Sequence, residues 1–244
     1  MDRTSRFKRQ MDFPGIGPAG QQRLFACRVA VAGCGGLGST LASCMGRAGI
    51  KAITLIDPDI VDLTNLHRQL LFDESDAEEK SAKAEAAARR ISDADSAVEV
   101  RSFPESLDAE NADRLLKGHD LVLDGLDNME SRYILNDWCV QNGVPWVYGG
   151  VAGSTGMVLP VLPGKGPCLR CVFPGPPESP GPGIDRTGIV NTLPAFVASV
   201  QVTEGLKILL GNEDPIFDLR IWDIWTGEYQ RVPVKTRKDC RCCG

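Results

Sequence analysis

Short apolar runs alternate with segments of helical composition from residue 29 to residue 150, and this alternation restricts the possible folds most strongly. The apolar runs are RVAVAG, KAITLID, AVEVRSF, HDLVLDG and VPWVYGG. The predicted helices between them are GLGSTLASCMGRAG, DAEEKSAKAEAAARRI, AENADRLLKG and MESRYILNDWCVQNG. Strands that alternate with helices pair in parallel, because each helix carries the chain back to the start of the next strand. The sequence therefore predicts a Rossmann-like, doubly wound α/β fold, with a mostly parallel sheet and helices on both faces.

The pattern changes after Gly150. A strand, TGMVLPVLP, precedes a Pro/Gly-rich loop, FPGPPESPGPGIDRTG, and a helix, AFVASVQVTEGLKILLG. The segment LRIWDIWTGEYQRVPV predicts an antiparallel hairpin that turns near Thr226 and Gly227. We expect one continuous domain with an N-terminal helical segment (1–28), a Rossmann-like region (29–150) and a C-terminal region (151–244) that adds antiparallel strands.

Composition and charge exclude several classes of partner. The net charge of −5 over 244 residues argues against nucleic acid or an anionic membrane. The opening MDRTSRFKRQMD lacks the apolar core of a signal peptide. The best candidate for a membrane span, Leu193–Leu210, is interrupted by Gln201, Glu204 and Lys207, and no apolar run reaches the roughly 18 residues that a span needs. These features predict a cytoplasmic protein with no membrane partner.

A glycine-rich segment, GCGGLGS, follows the first predicted strand directly and opens the first predicted helix. Gly33, Gly35 and Gly38 satisfy the G-x-G-x-x-G pattern, in which small residues allow a tight turn and a close approach of backbone to a nucleotide. Asp57 follows about 20 residues later, at the end of the second strand, where a carboxylate bonds a ribose hydroxyl. This context predicts a nucleotide-binding site. The alternative is a tight strand–helix turn of any α/β protein.

The polar stretch DPDIVDLTNLHRQ favours a triphosphate over a nicotinamide cofactor. It places Asp57, Asp59, Asn65, Arg68 and Gln69 beyond the carboxyl end of the second strand, where ligands bind in open sheets. Hydride transfer needs few charges near the nicotinamide, whereas a triphosphate needs several cations and a carboxylate that holds magnesium.

The cations and the carboxylate have specific candidates. No G-x-x-x-x-G-K-[ST] motif occurs, so Arg68 and Lys83 are the candidates for the positive charge. VLDGLDN ends the fourth predicted strand and brings Asp127 to the same edge as a candidate magnesium ligand. The alternatives are an ion-paired surface arginine for Arg68, a solvated helix face for Lys83 and a helix N-cap for Asp127.

The nine cysteines fall into two groups. Cys27, Cys34, Cys44 and Cys139 lie in apolar patterns typical of small core residues. CLRC and the closing KDCRCCG each contain a C-x-x-C pair, and four thiolates form the closed tetrahedral set that holds structural Zn²⁺. The predicted ligands are Cys168, Cys171, Cys240 and Cys243; Cys242 does not keep the spacing. A redox C-x-x-C is the competing interpretation.

These motifs, in order, resemble a known family. RFKRQ…PGIGPAGQQRL, GCGGLGS, DPDIVDLTNLHRQ, KAEAAA, DGLDN, CLRC and the final C-x-x-C look like the ThiF/MoeB/HesA family of ubiquitin-activating-enzyme-like adenylyltransferases, from about Arg6 to Cys243. The resemblance implies a homodimer that binds ATP and Mg²⁺ and a structural zinc. It further implies adenylation of the C-terminal Gly-Gly carboxylate of a small ubiquitin-like sulfur-carrier protein, with release of pyrophosphate. The acyl adenylate then becomes a thiocarboxylate for thiamine, molybdopterin or a related cofactor, and region 151–244 would bind the carrier.

The resemblance also implies roles for individual residues. Asp57 would hold the ribose, Lys83 would join Arg68 in stabilising the charged transition state, and Asp127 would hold Mg²⁺. Arg9 would reach the active site of the partner subunit. Lys80 is the fallback for Lys83, because the spacing from Arg68 is two residues longer here. The residues implied to contact the nucleotide are Gly33, Gly35, Gly36, Asp57, Thr64, Asn65, Leu66, His67, Arg68, Lys83, Asp127 and Asn128.

One departure from the family concerns covalent chemistry. Many relatives carry a cysteine in the segment that corresponds to GIDRTG, where this chain has Ile184 or Asp185, and no cysteine lies between Cys171 and Cys240. This departure argues against a transthiolation or persulfide step on this chain and leaves covering the substrate tail as the alternative role of the loop. The alternatives to carrier adenylation are a NAD-dependent oxidoreductase with a structural zinc, a non-catalytic nucleotide-binding scaffold, and adenylation of a peptide or small-molecule carboxylate.

Overall fold

An eight-stranded sheet with the order β3-β2-β1-β4-β5-β6-β7-β8 forms the centre of the computed structural model, which describes residues 3–175, 188–212 and 217–244. The strands are β1 (Arg28–Ala32), β2 (Ala52–Ile56), β3 (Glu99–Phe103), β4 (Leu121–Asp124), β5 (Trp146–Ala152), β6 (Thr155–Val161), β7 (Asp218–Asp223) and β8 (Glu228–Pro233). Strands β1 to β5 pair in parallel, and β6, β7 and β8 continue the sheet antiparallel. The predicted α/β fold with added antiparallel strands is confirmed.

The helices connect the strands and flank the sheet. They are α1 (Arg3–Arg6), α2 (Lys8–Met11), α3 (Gly17–Leu24), α4 (Gly36–Arg47), α5 (Glu74–Glu78), α6 (Lys83–Ala94), α7 (Ala112–Leu116), α8 (Met129–Asn142), α9 (Leu169–Val172) and α10 (Thr192–Leu210). A short 3₁₀ turn spans Leu63–Asn65. The division at residues 28 and 150 stays a prediction, and residue 150 falls within β5.

The two faces of the sheet bury separate cores. Val31 and Leu55 belong to the core under α4, α6 and α10, whereas Ala30 and Val122 belong to the core under α7 and α8. Alternate residues of one strand thus enter opposite cores. Burial on both faces explains why the parallel strands are continuous apolar runs in the sequence.

Helix α10 crosses the sheet beneath the site. Its fully buried Gln201 donates from Nε2 to the carbonyl oxygens of Asp124 (2.9 Å) and Val147 (3.1 Å), which ties α10 to β4 and β5. By length and composition alone α10 could cross a membrane, and 56% of its apolar window is buried inside the protein. These contacts are those of a core helix.

The single helix predicted for DAEEKSAKAEAAARRI is wrong, because the chain breaks between α5 and α6. Lys80 has a positive φ of 52°, in the left-handed region that helices do not use. The backbone beside it bonds another loop instead: the Val61 amide donates to the Ser81 carbonyl (2.8 Å), and the Lys83 amide donates to the Asp59 carbonyl (2.9 Å). The break therefore places the start of α6 against the loop that follows β2.

The order of the strands creates a crevice at one edge of the sheet. Strand β1 lies between β2 and β4, so the connections after β1 and β4 leave toward opposite faces. In open parallel sheets this switch point is where ligands bind. The glycine-rich loop, the polar stretch after β2 and the loop after β4 all meet at this edge.

Candidate active site

The turn from β1 into α4 depends on glycine at the crossing with the loop after β4. Gly33 has a φ of 87°, and a Cβ built there would lie 2.4 Å from the Gly125 carbonyl oxygen. A Cβ on Gly38 would lie 1.8 Å from the Gly33 carbonyl oxygen. No side chain fits at either position. Gly35 caps α4, which begins at Gly36, so the amides of the first turn of the helix face the crevice.

Asp57 holds this loop from the end of β2. Its two carboxylate oxygens accept from the Cys34 amide (2.6 Å) and the Asp59 amide (2.8 Å). Burial raises the pKa of Asp57, while the two amides and the charge of Lys83 oppose that rise. The carboxylate therefore fixes the shape of the glycine loop even with no nucleotide bound.

Lys83 lies in the crevice, and Lys80 lies outside it. The Lys83 ammonium donates to Asp59 Oδ2 at 2.8 Å, with its own side chain 7% exposed and that of Asp59 61% exposed. Lys80 is exposed and lines a separate cavity of about 400 Å³, together with Asp62, Glu74 and other residues. Of the two candidate lysines, only Lys83 approaches Asp57.

The polar stretch after β2 folds over the glycine loop. Asp62 caps the 3₁₀ turn by accepting from the Thr64 amide (2.8 Å), and Arg68 donates to Asn65 Oδ1 (2.6 Å). The Cγ atom of Arg68 lies 3.8 Å from where a Cβ on Gly36 would be. Arg68 is therefore held against the start of α4, which is the position needed to meet an anion bound there.

Two further residues of this stretch point in opposite directions. Leu66 packs against the core under α4, so its side chain serves packing. His67 is exposed and its Nε2 lies 2.9 Å from Arg68.

Gln69 has an unsatisfied buried atom at this place. Its side chain is 3% exposed, and its Oε1 has no hydrogen-bond partner among the described residues. Its Nε2 lies 3.7 Å from where a Cβ on Gly35 would be. An unpaired buried carbonyl is costly, so a polar group beside the glycine loop fits a ligand that supplies the missing donor.

A buried ion pair shapes the loop after β4. Asp124 is fully buried and accepts from Arg132 Nε at 3.0 Å, and Arg132 also donates to the carbonyl oxygens of Leu126 and Gly149. Burial raises the pKa of Asp124, and the charge of Arg132 opposes this rise. Sequence reasoning missed this pair. The available signal was an Asp ending a buried strand and an Arg in the first turns of the next helix.

Asp127 and Asn128 divide the roles at the start of α8. Asn128 is the N-cap, since its Oδ1 accepts from the Ser131 amide at 2.9 Å. Asp127 is exposed at the mouth of the crevice, and its Oδ1 accepts from Asn128 Nδ2 at 3.2 Å. The N-cap is therefore Asn128 rather than Asp127, and the Asp127 carboxylate faces solvent.

Arg9 lies far from these residues in its own chain. It is exposed on α2, and its neighbour Gln10 donates to the Ala48 carbonyl (2.9 Å) at the C-terminal end of α4. The glycine loop is at the other end of α4, which spans about 18 Å over its 12 residues. Within the described ranges Arg9 makes no ion pair. The fold does not bring Arg9 to its own crevice.

The four predicted cysteines meet in one cluster under α8. The Sγ atoms of Cys168, Cys171, Cys240 and Cys243 all lie within 4.8 Å of one another. The Cys168–Cys240, Cys171–Cys243 and Cys240–Cys243 distances are 3.6, 3.5 and 3.7 Å. A tetrahedron with metal–sulfur bonds of about 2.3 Å has edges of about 3.8 Å. The cluster could hold a metal ion with little adjustment.

Cys242 lies outside this set of four sulfurs, beside Cys168, and contacts α8. Asn136 Nδ2 donates to its Sγ at 3.3 Å, while Asn136 Oδ1 accepts from the Leu169 amide at 2.9 Å. Arg170 stacks 4.3 Å from the Tyr133 ring and bonds Asp137 through two nitrogens at 2.6 Å. These contacts attach the cluster to α8, whose first turn carries the Asp127 loop. Ile184 and Asp185 lie outside the described residues.

The crevice has the chemistry of a phosphate site. Two cations, Arg68 and Lys83, lie beside a glycine loop at a helix N-terminus, and an exposed carboxylate, Asp127, lies in the loop that follows β4 at the same edge of the sheet. Cations and helix amides stabilise negative charge, and a carboxylate can share a divalent cation with a phosphate.

Proteins of known sequence match this chain over nearly all of its length. The sulfur carrier protein ThiS adenylyltransferase of Bacillus subtilis is 38% identical over 244 residues, which cover 99% of this chain and 72% of that protein. The sulfur carrier protein adenylyltransferase of Thermus thermophilus is 37% identical over 251 residues, covering 100% of this chain and 92% of that protein. Adenylyltransferase and sulfurtransferase MOCS3 of Mus musculus is 38% identical over 248 residues, and this chain spans 53% of it.

Solved structures show the same fold. The crystal structure of E. coli MccB with MccA-N7isoASN has a TM-score of 0.87 at 21% identity, covering 100% of this chain and 75% of that chain. The structure of E. coli MccB with ATP has a TM-score of 0.78 at 20% identity, covering 92% and 68%. The relatives do not favour an oxidoreductase. Residues 7–243 match the ThiF family, a range that contains the sheet, the crevice and the cysteine cluster, and the chain therefore belongs to that family.

Proposed function

We propose that this protein uses ATP to adenylate the C-terminal glycine carboxylate of a small ubiquitin-like sulfur-carrier protein. The observation that carries the proposal is similarity over 99–100% of this chain to enzymes named as sulfur-carrier adenylyltransferases, at 37–38% identity. The crevice supports it, because glycines, cations and a carboxylate converge at one edge of the sheet. Carrier adenylation serves sulfur transfer for thiamine, molybdopterin or a related cofactor.

ATP fits the glycine loop. A Cβ on Gly35 would meet only Gln69 Nε2 within 4 Å, so the space above the first turn of α4 is open to a ligand. The buried Gln69 Oε1 needs a donor there. In the proposed complex Asp57 holds the ribose, and Gly33, Gly36, Thr64, Asn65 and His67 line the nucleotide. Leu66, whose side chain packs against the core, would contribute only its backbone.

The cations act on the phosphates. Arg68 and Lys83 would neutralise charge on the α-phosphate as the carboxylate attacks and pyrophosphate leaves. Lys83 must exchange its bond to Asp59 for the phosphate, and the exposure of Asp59 allows water to replace the lost partner. No general base is required, since a carboxylate is already ionised at pH 7. Catalysis rests on positioning and charge.

Asp127 is the proposed Mg²⁺ ligand, with Asn128 beside it. Its exposed carboxylate offers the oxygen atoms that Mg²⁺ prefers, and the buried Asp124–Arg132 pair holds the loop that carries it. Bound Mg²⁺ supplies charge neutralisation for the triphosphate.

A homodimer would complete each site with Arg9 of the partner subunit. Arg9 is exposed, unpaired within the described ranges and remote from its own crevice. The exposed side chains of Ile60, Leu63 and Leu70 offer an apolar surface for the second copy on the β2 side of the crevice. A cation delivered there would stand beside Arg68.

The four-cysteine cluster is the proposed site of a structural Zn²⁺. Four sulfur ligands suit zinc, and a closed site leaves no position for catalysis. Burial acts to raise the pKa of Cys240, but the amides of Cys243 and Cys242 and the neighbouring thiols lower it, whereas burial raises the pKa of Cys168 and Cys243. Zinc would fasten the chain end to α8. We further propose a cytoplasmic location, no role for nucleic acid or membrane, and no covalent cysteine intermediate.

Pyrophosphate exchange tests the function. The purified protein with Mg²⁺ should exchange labelled pyrophosphate into ATP only when an intact carrier ending in Gly-Gly is added. A carrier that lacks the two glycines is the control. Equal exchange with the truncated carrier, or equal exchange with no carrier added, would contradict the proposal.

A further inference from the structure

The chain end carries one thiol more than a zinc site uses. The proposed ligands Cys168, Cys171, Cys240 and Cys243 have sulfur atoms within 4.8 Å of one another, and four sulfurs close a tetrahedral site. Cys242 lies between two of these ligands in the sequence and outside the group in the structure. Its thiol is therefore left unbound to the ion, next to a complete set of ligands.

Asn136 of α8 holds Cys242 beside the segment that carries Cys168. Its Nδ2 donates to Cys242 Sγ at 3.3 Å, and its Oδ1 accepts at 2.9 Å from the amide of Leu169, the residue after Cys168. The thiols of Cys242 and Cys168 are within hydrogen-bonding reach of each other. Two sulfurs in contact need only a small side-chain movement to approach the roughly 2 Å of a disulfide bond.

The two thiols differ in their access to solvent. Cys168 is 1% exposed, whereas Cys242 is half-buried. Cys171 and Cys243 are half-buried too, but both are proposed ligands of the ion. A small oxidant that arrives from solvent therefore meets one accessible thiol that is not bound to metal. Oxidation of a cysteine is favoured by exposure and by a second thiol that can resolve the product.

Polar groups around Cys242 suit a sulfur that reacts as a nucleophile. The Asp137 carboxylate is within hydrogen-bonding reach of the Cys242 thiol, and Arg170 fixes that carboxylate through two hydrogen bonds of 2.6 Å. A carboxylate in this position can accept the thiol proton as the sulfur attacks. The amide that Asn136 donates stabilises the negative charge that develops on the sulfur.

We propose that Cys242 is a site of oxidation by peroxides, which forms a disulfide with Cys168 and thereby releases the zinc ion of the cluster. This rests on the proposed zinc site and does not depend on which carrier the enzyme uses. The disulfide joins the same two segments that the ion joins. The chain end therefore stays attached to α8 after the ion has left.

The chemistry takes two steps. The Cys242 sulfur attacks one oxygen of the peroxide and becomes a sulfenic acid, and the thiol proton passes through Asp137 to the departing hydroxide, which leaves as water. The Cys168 thiolate then leaves the ion, attacks the Cys242 sulfur and expels hydroxide, which takes a proton from solvent. Two electrons pass from the two sulfurs to hydrogen peroxide, which yields two molecules of water.

Zinc release from the zinc-loaded protein gives the first test. Hydrogen peroxide should release one zinc per wild-type chain, measured with a metal-sensitive dye. Added thiol reductant and Zn²⁺ should restore the original content. Cys242→Ser keeps a polar group but cannot form a disulfide, so its zinc should leave at least tenfold more slowly. Cys44→Ala is the matched control, because Cys44 is another half-buried cysteine that packs on the opposite face of the sheet, and it should release zinc at the wild-type rate.

Peptide mapping without reduction identifies the bond. Trypsin separates the cysteines of the cluster, because it cuts at four basic residues near them: Lys165, Arg170, Lys238 and Arg241. The expected product of oxidised wild-type protein joins peptides 166–170 and 242–244, which contain Cys168 and Cys242. This product should be absent from Cys242→Ser.

Four results would overturn the proposal. They are equal rates of zinc release in wild type and Cys242→Ser, a link from peptide 166–170 to the Cys240 peptide 239–241, a link to 242–244 that persists in Cys242→Ser, and absence of zinc from Cys242→Ser before oxidation. The last result would make Cys242 itself a ligand. Failure of the zinc site looks different, since untreated wild-type protein would then contain no zinc by elemental analysis.

Discussion

The crevice and the four-cysteine cluster become ordered by different means. In the crevice three charged side chains have partners from the same loop or the next one: Asp57 with two amides, Lys83 with Asp59, and Arg68 with Asn65. In the cluster four thiols come from two segments far apart in sequence, and thiols are weak donors and acceptors toward one another. The difference indicates that strand topology arranges the crevice, whereas we expect the proposed zinc ion to hold the cysteine cluster together.

The largest expected effect follows from removing a cluster ligand. Cys168→Ala or Cys240→Ala should abolish zinc binding, measured as one zinc per chain in wild type by elemental analysis. Loss of the ion should destabilise the chain by about 5 kcal/mol, or roughly 10–20 °C in melting temperature for a chain of this size.

Cys242→Ala is the matched control for that experiment. Cys242 bonds Asn136 and stands outside the four-sulfur cluster, so the variant should keep its zinc and most of its stability. If Cys240→Ala retained zinc, the proposed ligand set would be wrong. The proposal that the ion holds the C-terminal cysteines would then be wrong too.

The next largest effect is expected for Arg9. If Arg9 of the partner subunit is needed for activity, the fold of one chain does not complete the crevice by itself. Arg9→Ala should fold, dimerise and bind ATP normally, yet lose about 3 kcal/mol of transition-state stabilisation, or roughly a hundredfold in carrier-dependent exchange. Melting curves and sedimentation establish that the variant is intact.

Complementation then asks which subunit Arg9 serves. Asp127→Ala should be inactive through loss of Mg²⁺ in its own subunit. A heterodimer of the two variants has one site with both lesions and one with neither, so about half of wild-type activity should return. If heterodimers form and the mixture stays inactive, Arg9 acts in the site of its own subunit or has no role in catalysis.

Ligand binding should confirm that the crevice is formed in advance. At a hundredfold excess over Kd, ATP with Mg²⁺ should stabilise the protein by about 2.7 kcal/mol, which is roughly 5–10 °C in melting temperature. NADH should give no shift. Stabilisation by NADH and none by ATP would restore the oxidoreductase alternative.

The smallest expected effect distinguishes two lysines. Lys83→Ala should lower kcat for exchange by about thirtyfold, equivalent to about 2 kcal/mol, because Lys83 adjoins Asp57 in the crevice. Lys80→Ala should stay within twofold, since Lys80 is exposed outside it. Equal losses in the two variants would mean that the break between α5 and α6, rather than one ammonium group, matters for catalysis.

Much of the fold could be predicted because its signals are local. The parallel strands are continuous apolar runs, the glycine loop follows one of them directly, and the hairpin turns at Gly227, whose φ of 79° needs glycine. The C-x-x-C spacing likewise identified the four cysteines that the fold brings together.

The missed features depend on contacts between distant segments. Helix propensity favoured one helix through Lys80. The backbone of Ser81 and Lys83 instead forms hydrogen bonds with the loop after β2. That loop is distant in sequence, so no local pattern could indicate it. A local signal did exist for α5, where Asp73 and Asp76 form a capping box. The Asp124–Arg132 pair and the ring contacts of Trp222 with Phe196 and Tyr229 arise only when the sheet has formed.

Strand β8 is the last strand of the sheet within the described residues, and this edge determines how the protein must be handled at high concentration. An exposed edge strand can pair with the edge of another molecule and begin aggregation. This one carries Glu228 and Arg231, which repel or misalign a second edge, and ends at Pro233, which lacks an amide donor. Replacing Arg231 or Pro233 by valine would remove these safeguards while leaving the β7 pairing intact. Solubility engineering of this chain should therefore leave those two positions unchanged.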